Sequence, residues 1–277
     1  MSKHKLPAKT LGPVSARLMT ELQKAGKLIF ATDDAQKVYG KNRFATGDLL
    51  SELVKRRILA RIKAGTYLIL QTGMESTQLC NWPVIAREIA HPHLYFISHY
   101  SAMRLHGMTT HPVLDVYLTA SLRRLSRQVN GLRYHFIYSK KKHFWGSETV
   151  WVTKYEKIVV SDLERTLLDG LDRPDLCGGL TEVIRGIFTK QNDVDHAKLI
   201  QYAKRFRTKA AVKRLGFVLE MLKLSDQNII EQIRALVKSS KGFCLLDSNG
   251  PKTGAYLNRW GLRINLHLDE MKASTWA

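Results

Sequence analysis

Apolar residues recur every three to four positions in the first part of the chain, which predicts three short helices. The first spans about residues 14–27, and a short apolar run at 28–30 follows it. The second has Thr32, a residue type that caps helices, as its predicted N-cap, and it ends at Gly40. The third begins near Thr46 and carries a leucine-rich face. Three amphipathic helices in succession indicate a small helical unit.

Two strand-like runs follow the third helix. Residues 58–62 and 66–70 are rich in apolar and β-branched types, and the Lys-Ala-Gly turn between them ends at Gly65. This pattern predicts a β-hairpin. Three helices followed by a hairpin is the element order of a winged helix-turn-helix, in which one helix enters the major groove and the hairpin lies on the phosphates. We assign this unit to residues 14–72.

Polar and basic residues of this unit are candidate DNA contacts. Arg and Asn read base edges, whereas Lys mostly positions a protein on phosphates. Asp48 and Glu52 lie on the same helix and would repel phosphate. The alternative is a small helical domain whose hairpin contacts only protein. The candidate contacts are Asn42, Arg43, Thr46, Ser51, Lys55, Arg56, Arg61 and Lys63.

The remainder of the chain predicts a second, larger unit at residues 82–277, after a linker at about 73–81. Its first half contains strand-like runs, residues 180–238 read as mostly helical, and short strands close the chain. The segment Ser-Asp-Leu-Glu that begins at Ser161 predicts a capping box at the start of a helix. We therefore expect an α+β fold: an N-terminal winged helix-turn-helix and a C-terminal α+β domain with a mixed or antiparallel sheet.

The net charge of the chain indicates an anionic partner, which the pattern of helices and strands alone does not. The 277 residues carry 44 Lys and Arg against 24 Asp and Glu, which gives a net charge of +20. Such an excess favours binding to nucleic acid, an acidic protein or anionic lipid. Two stretches, 116–147 and 196–219, contain no acid, and aromatic residues are interleaved with the basic ones in the first. Basic and aromatic residues together suit a nucleic-acid groove, while the alternative is a solvated face over buried aromatics.

Seven basic residues of these two stretches are candidates for a basic surface on the second domain. We hypothesise that this surface contacts DNA or RNA. The seven residues are Arg123, Arg124, Arg127, Lys204, Arg205, Arg207 and Lys209.

The sequence contains no recognisable catalytic motif. Five acids between Asp162 and Asp175 would suit a metal-dependent nuclease, but their positions also fit helix capping and a turn. Five histidines between His91 and His111 match no metal-ligand spacing, and the three cysteines, Cys80, Cys177 and Cys244, are far apart. We expect no metal site, no cofactor and no enzymatic activity.

The sequence also gives an expectation about location. Its first residues are basic but lack the apolar region of a secretory signal, and no stretch approaches 18 uncharged apolar residues. We expect a cytoplasmic protein without a membrane partner.

Five segments in order resemble AbiEi-type antitoxins. Each segment alone is unspecific, and together they cover the chain from about residue 14 to 266. Asp48 and Glu52 depart from a simple DNA-reading helix, so the DNA contacts are not carried over by the resemblance. The segments are Leu59–Tyr67, Ser101–Met108, Val160–Asp169 with Arg173-Pro and Gly178-Gly179 behind it, Arg214–Glu220, and Asn258–Gly261.

The resemblance implies an antitoxin of a type IV toxin–antitoxin system for abortive infection and phage defence. Such a protein represses its own operon by binding inverted repeats in the promoter DNA. It counteracts a nucleotidyltransferase-like toxin without a stable complex, so direct contact is not expected. Two alternatives stay open from the residues alone: a protein-interaction module with an acidic partner, and a metal-dependent defence nuclease.

Overall fold

The computed structural model describes residues 11–70, 82–154 and 156–267. The predicted linker at 73–81, with Cys80, lies outside the described residues, as do the ends of the two predicted domains at 72 and 268–277. The fold is α+β, as the sequence predicts. Within the described ranges, no helix combines the length and apolar character needed to cross a membrane.

The N-terminal part contains the three predicted helices followed by the predicted hairpin. An additional strand, β1, comes from the apolar run between the first two helices and pairs antiparallel with β3. The resulting three-stranded sheet has the order β1-β3-β2. The elements are α1 (Pro13–Lys24), β1 (Ile29–Ala31), α2 (Thr32–Tyr39), α3 (Arg43–Lys55), β2 (Leu59–Lys63) and β3 (Thr66–Ile69).

Two helices begin at positions other than those predicted. Thr32 is the first residue of α2 and not its cap, because the backbone N–H of Ala31 is already satisfied by the Asp34 carboxylate at 3.0 Å. α3 begins three residues before the predicted start, because the side chain of Asn42 accepts a hydrogen bond from the Ala45 backbone N–H at 2.9 Å.

A six-stranded mixed sheet forms the centre of the second part. Its order is β6-β7-β5-β4-β9-β8, and parallel pairs (β7 with β5, β4 with β9) alternate with antiparallel ones. Two helices accompany its strands. The elements are α4 (Trp82–Ala90), β4 (Tyr95–Ile97), α5 (His99–Leu105), β5 (Asp115–Ala120), β6 (Arg127–Val129), β7 (Leu132–Tyr138), β8 (Ser147–Trp151) and β9 (Lys157–Ser161).

The rest of the second part is helical, as predicted, and ends in a small sheet. β12 lies between β10, to which it is parallel, and β11, to which it is antiparallel. The elements are α6 (Leu163–Asp172), α7 (Leu180–Thr189), α8 (His196–Arg205), α9 (Lys209–Met221), α10 (Gln227–Val237), β10 (Cys244–Leu245), β11 (Ala255–Leu257) and β12 (Leu262–Ile264).

The predicted capping box at Ser161 is wrong. Ser161 is the last residue of β9, and its hydroxyl donates to the Ile97 carbonyl of the neighbouring strand at 3.3 Å. Asp162 caps α6 instead, by accepting from the Arg165 backbone N–H at 2.9 Å. The sheet keeps Ser161 extended, so the cap moves to the next residue that has a suitable side chain.

Three buried apolar clusters support the fold. One lies beneath α1, α2 and α3, and another lies among the helices from α6 to α10. The third is shared: Ile62 and Leu68 of the hairpin belong to the same cluster as Ile85 of α4 and Val116 of β5. The hairpin therefore contributes to the core of the second part, although the sequence assigns it to a separate domain.

Candidate nucleic-acid interface

The candidate residues on α3 differ in what they can reach. Arg43 is exposed and lies 3.5 Å from the Asp33 carboxylate. Ser51, Lys55 and Arg56 are also exposed. Thr46 is fully buried, and its hydroxyl donates to the Asn42 carbonyl at 2.9 Å, so the prediction that its side chain contacts DNA is wrong.

Phe44 is a residue that the sequence reasoning missed. Its side chain lies in the first turn of α3 and is 80% exposed. The core-facing side of this helix is marked by the buried residues Thr46, Leu50 and Leu53. Phe44 falls outside that stripe, and this spacing is the signal that could have identified it as a surface residue.

The two candidates on the hairpin have different roles. Arg61 is exposed in β2. Lys63 is half-buried and donates from Nζ to the Glu88 carbonyl at 2.7 Å and to the His91 carbonyl at 3.4 Å. These carbonyls lie at the end of α4, where a cation is favoured by the helix dipole. Lys63 therefore fastens the hairpin to the second part. This differs from the sequence-based prediction, in which Lys63 contacts DNA.

Arg61 lies close to two basic residues from the other predicted set. Arg124 donates to the Ile89 carbonyl at 3.0 Å, and Arg127 begins β6. The pKa of Arg127 is lowered by partial burial and then by the positive charges of Arg124 and Arg61. Arg61 and Arg124 thus each lie within electrostatic reach of Arg127, and β2, which carries Arg61, lies against β6. We call Arg61, Arg124 and Arg127 the basic face.

Arg123 lies beside this surface and stacks on an aromatic ring. Its guanidinium carbon lies 4.4 Å from the centre of the Tyr138 ring, and both residues are exposed. A basic and an aromatic residue of the first acid-free stretch are therefore in contact here.

The second predicted set gathers near the end of α8. Lys204, Arg205 and Arg207 are exposed, and Lys209 is half-buried at the start of α9. Arg205 stacks on the Trp145 ring at 4.7 Å. The two acid-free stretches meet here.

The meeting point of the two stretches is His143. The pKa of His143 is lowered by burial and then by positive charges from both acid-free stretches and from Arg165. Lys140 and Lys142 belong to the first stretch and Arg207 to the second.

A cleft of about 120 Å³ opens beside this region. Its wall includes Arg165 and Asp169, which form a buried ion pair with 2.8 Å between Nε and Oδ1. The Arg165 guanidinium also donates to the Trp145 carbonyl at 3.2 Å. Burial raises the pKa of Asp169, and the Arg165 charge opposes that effect.

Most of the predicted acidic group is engaged in local structure. Asp162 and Glu164 both lie against the Lys198 ammonium, at 3.2 and 2.7 Å. Asp175 pairs with both nitrogens of the Arg173 fork at 2.7 and 2.9 Å. Over the residues that the structure describes, no group of three or more His, Cys, Asp or Glu side chains is arranged to hold a metal ion.

Two of the segments that carry the family resemblance pack directly on each other. His106, in the segment Ser101–Met108, lies with Nε2 2.6 Å from the Ser161 carbonyl, in the segment Val160–Asp169. Ser101 accepts a hydrogen bond from the Tyr117 backbone N–H at 2.9 Å. Ser101 and His106 thus both have structural partners in the central sheet.

Comparison with known proteins gives a fold neighbour and no family. No family model matches the chain, and no curated protein matches it. Among solved structures, the crystal structure of the RV2827C protein from Mycobacterium tuberculosis is similar, with a TM-score of 0.67 and 13% sequence identity. The match covers 97% of this chain and 96% of that chain. At this identity the likeness shows the fold alone.

Proposed function

We propose that this chain is a DNA-binding autorepressor and antitoxin of the AbiEi type. Its N-terminal helices and hairpin would act as a winged helix-turn-helix on inverted repeats in its own promoter. The second part would counteract a nucleotidyltransferase-like toxin in the cytoplasm without enzymatic activity and without a stable complex. The resemblance of the five segments supports the antitoxin role.

The basic face is the observation that carries the DNA-binding proposal. Arg61 comes from the hairpin, where a wing contacts phosphates, and Arg124 and Arg127 extend its charge onto the second part. Exposed or half-exposed guanidinium groups of this kind, two of which repel the third, are stabilised when an anionic backbone lies across them. A polyanion would relieve this repulsion, which acts together with burial to lower the pKa of Arg127.

Two features of α3 shape how it would bind. Asp48 and Glu52 are exposed on this helix and would disfavour a close approach of phosphate along its whole length. Arg43 and Phe44, in the first turn, lie N-terminal to these acids. The N-terminal residues of a recognition helix are the ones that contact base edges in helix-turn-helix proteins. We therefore place the base contacts at the start of α3.

Fluorescence anisotropy with the duplex upstream of the gene tests this proposal. A scrambled duplex is the specificity control, and each titration is run at two salt concentrations. Arg61→Gln and Arg127→Gln should each weaken binding several-fold and reduce the salt slope by about one. Arg104→Gln, an exposed arginine on α5, is the matched control and should bind as the parent does.

The same titrations decide between this proposal and its alternatives. Equal affinity for both duplexes would reject an operator-specific repressor and leave a basic surface. Absence of binding at low salt would favour an acidic protein as the partner. The pairing of Asp162, Glu164 and Asp175 with cations gives no support to a metal-dependent nuclease.

A further inference from the structure

A second, larger cavity lies among α9, α10 and the turn that precedes β12. Its volume is about 330 Å³, and four cationic side chains line it. In the part of the chain that the structure describes, no carboxylate-bearing residue is among the lining residues. We call these four residues the cation pocket: Lys213, Arg234, Lys238 and Arg259.

Lys213 is the most unusual member of the cation pocket. The residue is only 4% exposed, and its Nζ donates to the Gly242 carbonyl at 2.7 Å. An ammonium has three donors, and a buried charge is costly unless it is paired. Among the described residues, no carboxylate oxygen lies within 4.0 Å of this nitrogen. A buried cation with one neutral acceptor indicates a place for an anion.

The acidic residue of α9, Glu220, already has two hydrogen-bond partners other than Lys213. Glu220 accepts from the Trp260 indole at 2.6 Å through one carboxylate oxygen and from Arg259 at 2.7 Å through the other. Trp260 lies so close to Gly216 that a side chain there would come within 2.0 Å of its ring. The segments Arg214–Glu220 and Asn258–Gly261, which both belong to the family resemblance, are thereby fixed against each other.

The charges of the pocket do not balance. Glu231 pairs with Arg259 at 2.9 Å and with Arg234 at 3.1 Å, so two carboxylates compensate the two arginines. Lys213 and Lys238 form no ion pair with any residue in the described ranges. The pocket therefore carries an excess of two positive charges.

The backbone keeps the space in front of Lys213 open. Gly261 has a φ of +59°, and a Cβ at this position would lie 2.9 Å from Lys213 Nζ. Any larger residue would be strained and would also occupy the place of a ligand atom. Ser240 and Asn258 also line the pocket and supply hydrogen-bond donors.

We propose that the cation pocket binds the phosphate group of a phosphate monoester of nucleotide size. A phosphate monoester carries a charge of about −1.5 to −2 near pH 7, which matches the excess of two. The volume lies in the range of small-molecule sites and exceeds what the phosphate group alone needs. The same chemistry is available from a free mononucleotide and from the phosphorylated end of a nucleic-acid strand.

Isothermal titration calorimetry on the full chain tests this proposal, with adenosine 5′-monophosphate as the probe and adenosine as the uncharged control. We expect the monophosphate to bind and adenosine not to bind. Lys238→Gln, a substitution of an exposed residue, should weaken binding at least tenfold, and Lys213→Met should abolish it. Lys24→Gln, on α1, is the matched control and should bind as the parent does.

Two results would overturn the proposal: no heat with the monophosphate at millimolar concentration, or equal affinity in the Lys238→Gln and Lys24→Gln variants. Far-UV circular dichroism checks the Lys213→Met variant, and if it does not fold, Lys238→Gln decides alone. A short single strand with and without a 5′-phosphate distinguishes the sources. If the phosphorylated strand binds more tightly than the unphosphorylated one, and Lys238→Gln removes this difference, the ligand is a strand end. If the mononucleotide binds more tightly than either strand, the ligand is a free mononucleotide.

This inference goes beyond the proposed function and does not depend on it. The cation pocket uses none of the residues of the basic face. The Lys238→Gln variant should therefore retain the duplex binding of the parent, so that failure of one proposal is distinguishable from failure of the other.

Discussion

The Arg165–Asp169 ion pair offers a sharp test of how the centre of the second part is held together. Both side chains are nearly buried, at 9% and 7% exposure, and Nε lies 2.8 Å from Oδ1. The guanidinium also stacks on the rings of Trp145 at 4.3 Å and Phe206 at 5.4 Å. Arg165→Met keeps an unbranched apolar stem but removes the guanidinium, so the carboxylate of Asp169 loses the one ion-pair partner that it has among the described residues.

The size of the effect follows from the burial of the pair. Removing one partner of a buried ion pair costs about 3–5 kcal/mol of unfolding free energy, because the other charge stays buried. Asp169 escapes part of this cost: burial already raises its pKa, and without Arg165 the pKa rises further, so the carboxyl takes up a proton. We expect Arg165→Met to lose about 3 kcal/mol at pH 7, and less at pH 5.5, where the carboxyl is more easily protonated.

Asp169→Asn completes a double-mutant cycle. Arg165 then keeps its two carbonyl acceptors, at His143 and Trp145, and its aromatic neighbours, so we expect a smaller loss of about 1–3 kcal/mol. The double variant buries no charge at this contact. Its loss should therefore be smaller than the sum of the single losses by about 1–3 kcal/mol.

Urea unfolding, followed by tryptophan fluorescence and far-UV circular dichroism at pH 7 and pH 5.5, measures each difference. Trp145, which lies against Arg165, reports on this site directly. Losses that add within about 0.5 kcal/mol, or a larger deficit of Arg165→Met at pH 5.5 than at pH 7, would refute the reasoning.

Three further predictions concern stability. Burial, followed by the charges of Arg173 and Arg165, lowers the pKa of His99 to about 3. Neutral His99 therefore stabilises the fold at pH values above about 6.5, the pKa of a histidine in the unfolded chain. This stability is lost as the pH falls below that value. His99→Asn keeps a residue type that tolerates the φ of +54°. It should flatten the pH dependence of the unfolding free energy, measured by urea titration between pH 6.5 and 4, by up to about 1.4 kcal/mol per pH unit. An unchanged slope would contradict this assignment. Gly216→Ala should lower the unfolding free energy by about 2 kcal/mol or more, measured by thermal melting, because its Cβ would overlap the indole behind it. Asn42→Ala should cost about 1 kcal/mol and Asn42→Asp much less, and equal losses would show that the cap does not act through the side-chain oxygen.

The order of elements was predictable because most of them carry a local pattern. β7 (Leu132–Tyr138) is one of the strand-like runs of the second part, because its alternating side chains mark it as a strand wherever it pairs. β11 and β6 were not predicted. Each has three residues and becomes a strand through pairing with a neighbour, β12 or β7, which local sequence does not encode.

The residue at which a helix begins is also difficult to predict from local sequence. Thr32 and Ser161 are both good capping residues, and neither caps a helix. In each case the sheet holds the preceding backbone extended, through the pairing of Ala31 with Thr66 and of Ser161 with Ser147. Tertiary pairing therefore decides which of several adjacent polar residues becomes the cap.

For the candidate interface, the sequence predicted the residues but not their neighbours. Arg61 and Arg127 belong to separate predicted domains, and their proximity depends on how the hairpin is seated. As a basic residue of the same hairpin, Lys63 is as good a candidate for a DNA contact as Arg61. In the structure, however, its ammonium donates to a carbonyl of α4. The surface against which the hairpin packs decides which of its two basic residues remains available to bind a ligand.

The seating of the hairpin links the predicted domains in a way that bears on the proposed function. Ile62 and Leu68 lie in the apolar cluster of the second part, and Lys63 fastens the same hairpin to the end of α4. A fragment cut at the predicted boundary would expose both apolar residues and would separate Arg61 from Arg124 and Arg127. The basic face is therefore a property of the whole chain, because the contacts that bury the hairpin also bring its arginine to the other two. Under the proposed function, a duplex bound there would contact both parts at once, and DNA binding would be coupled to the state of the second part through the packing of this hairpin.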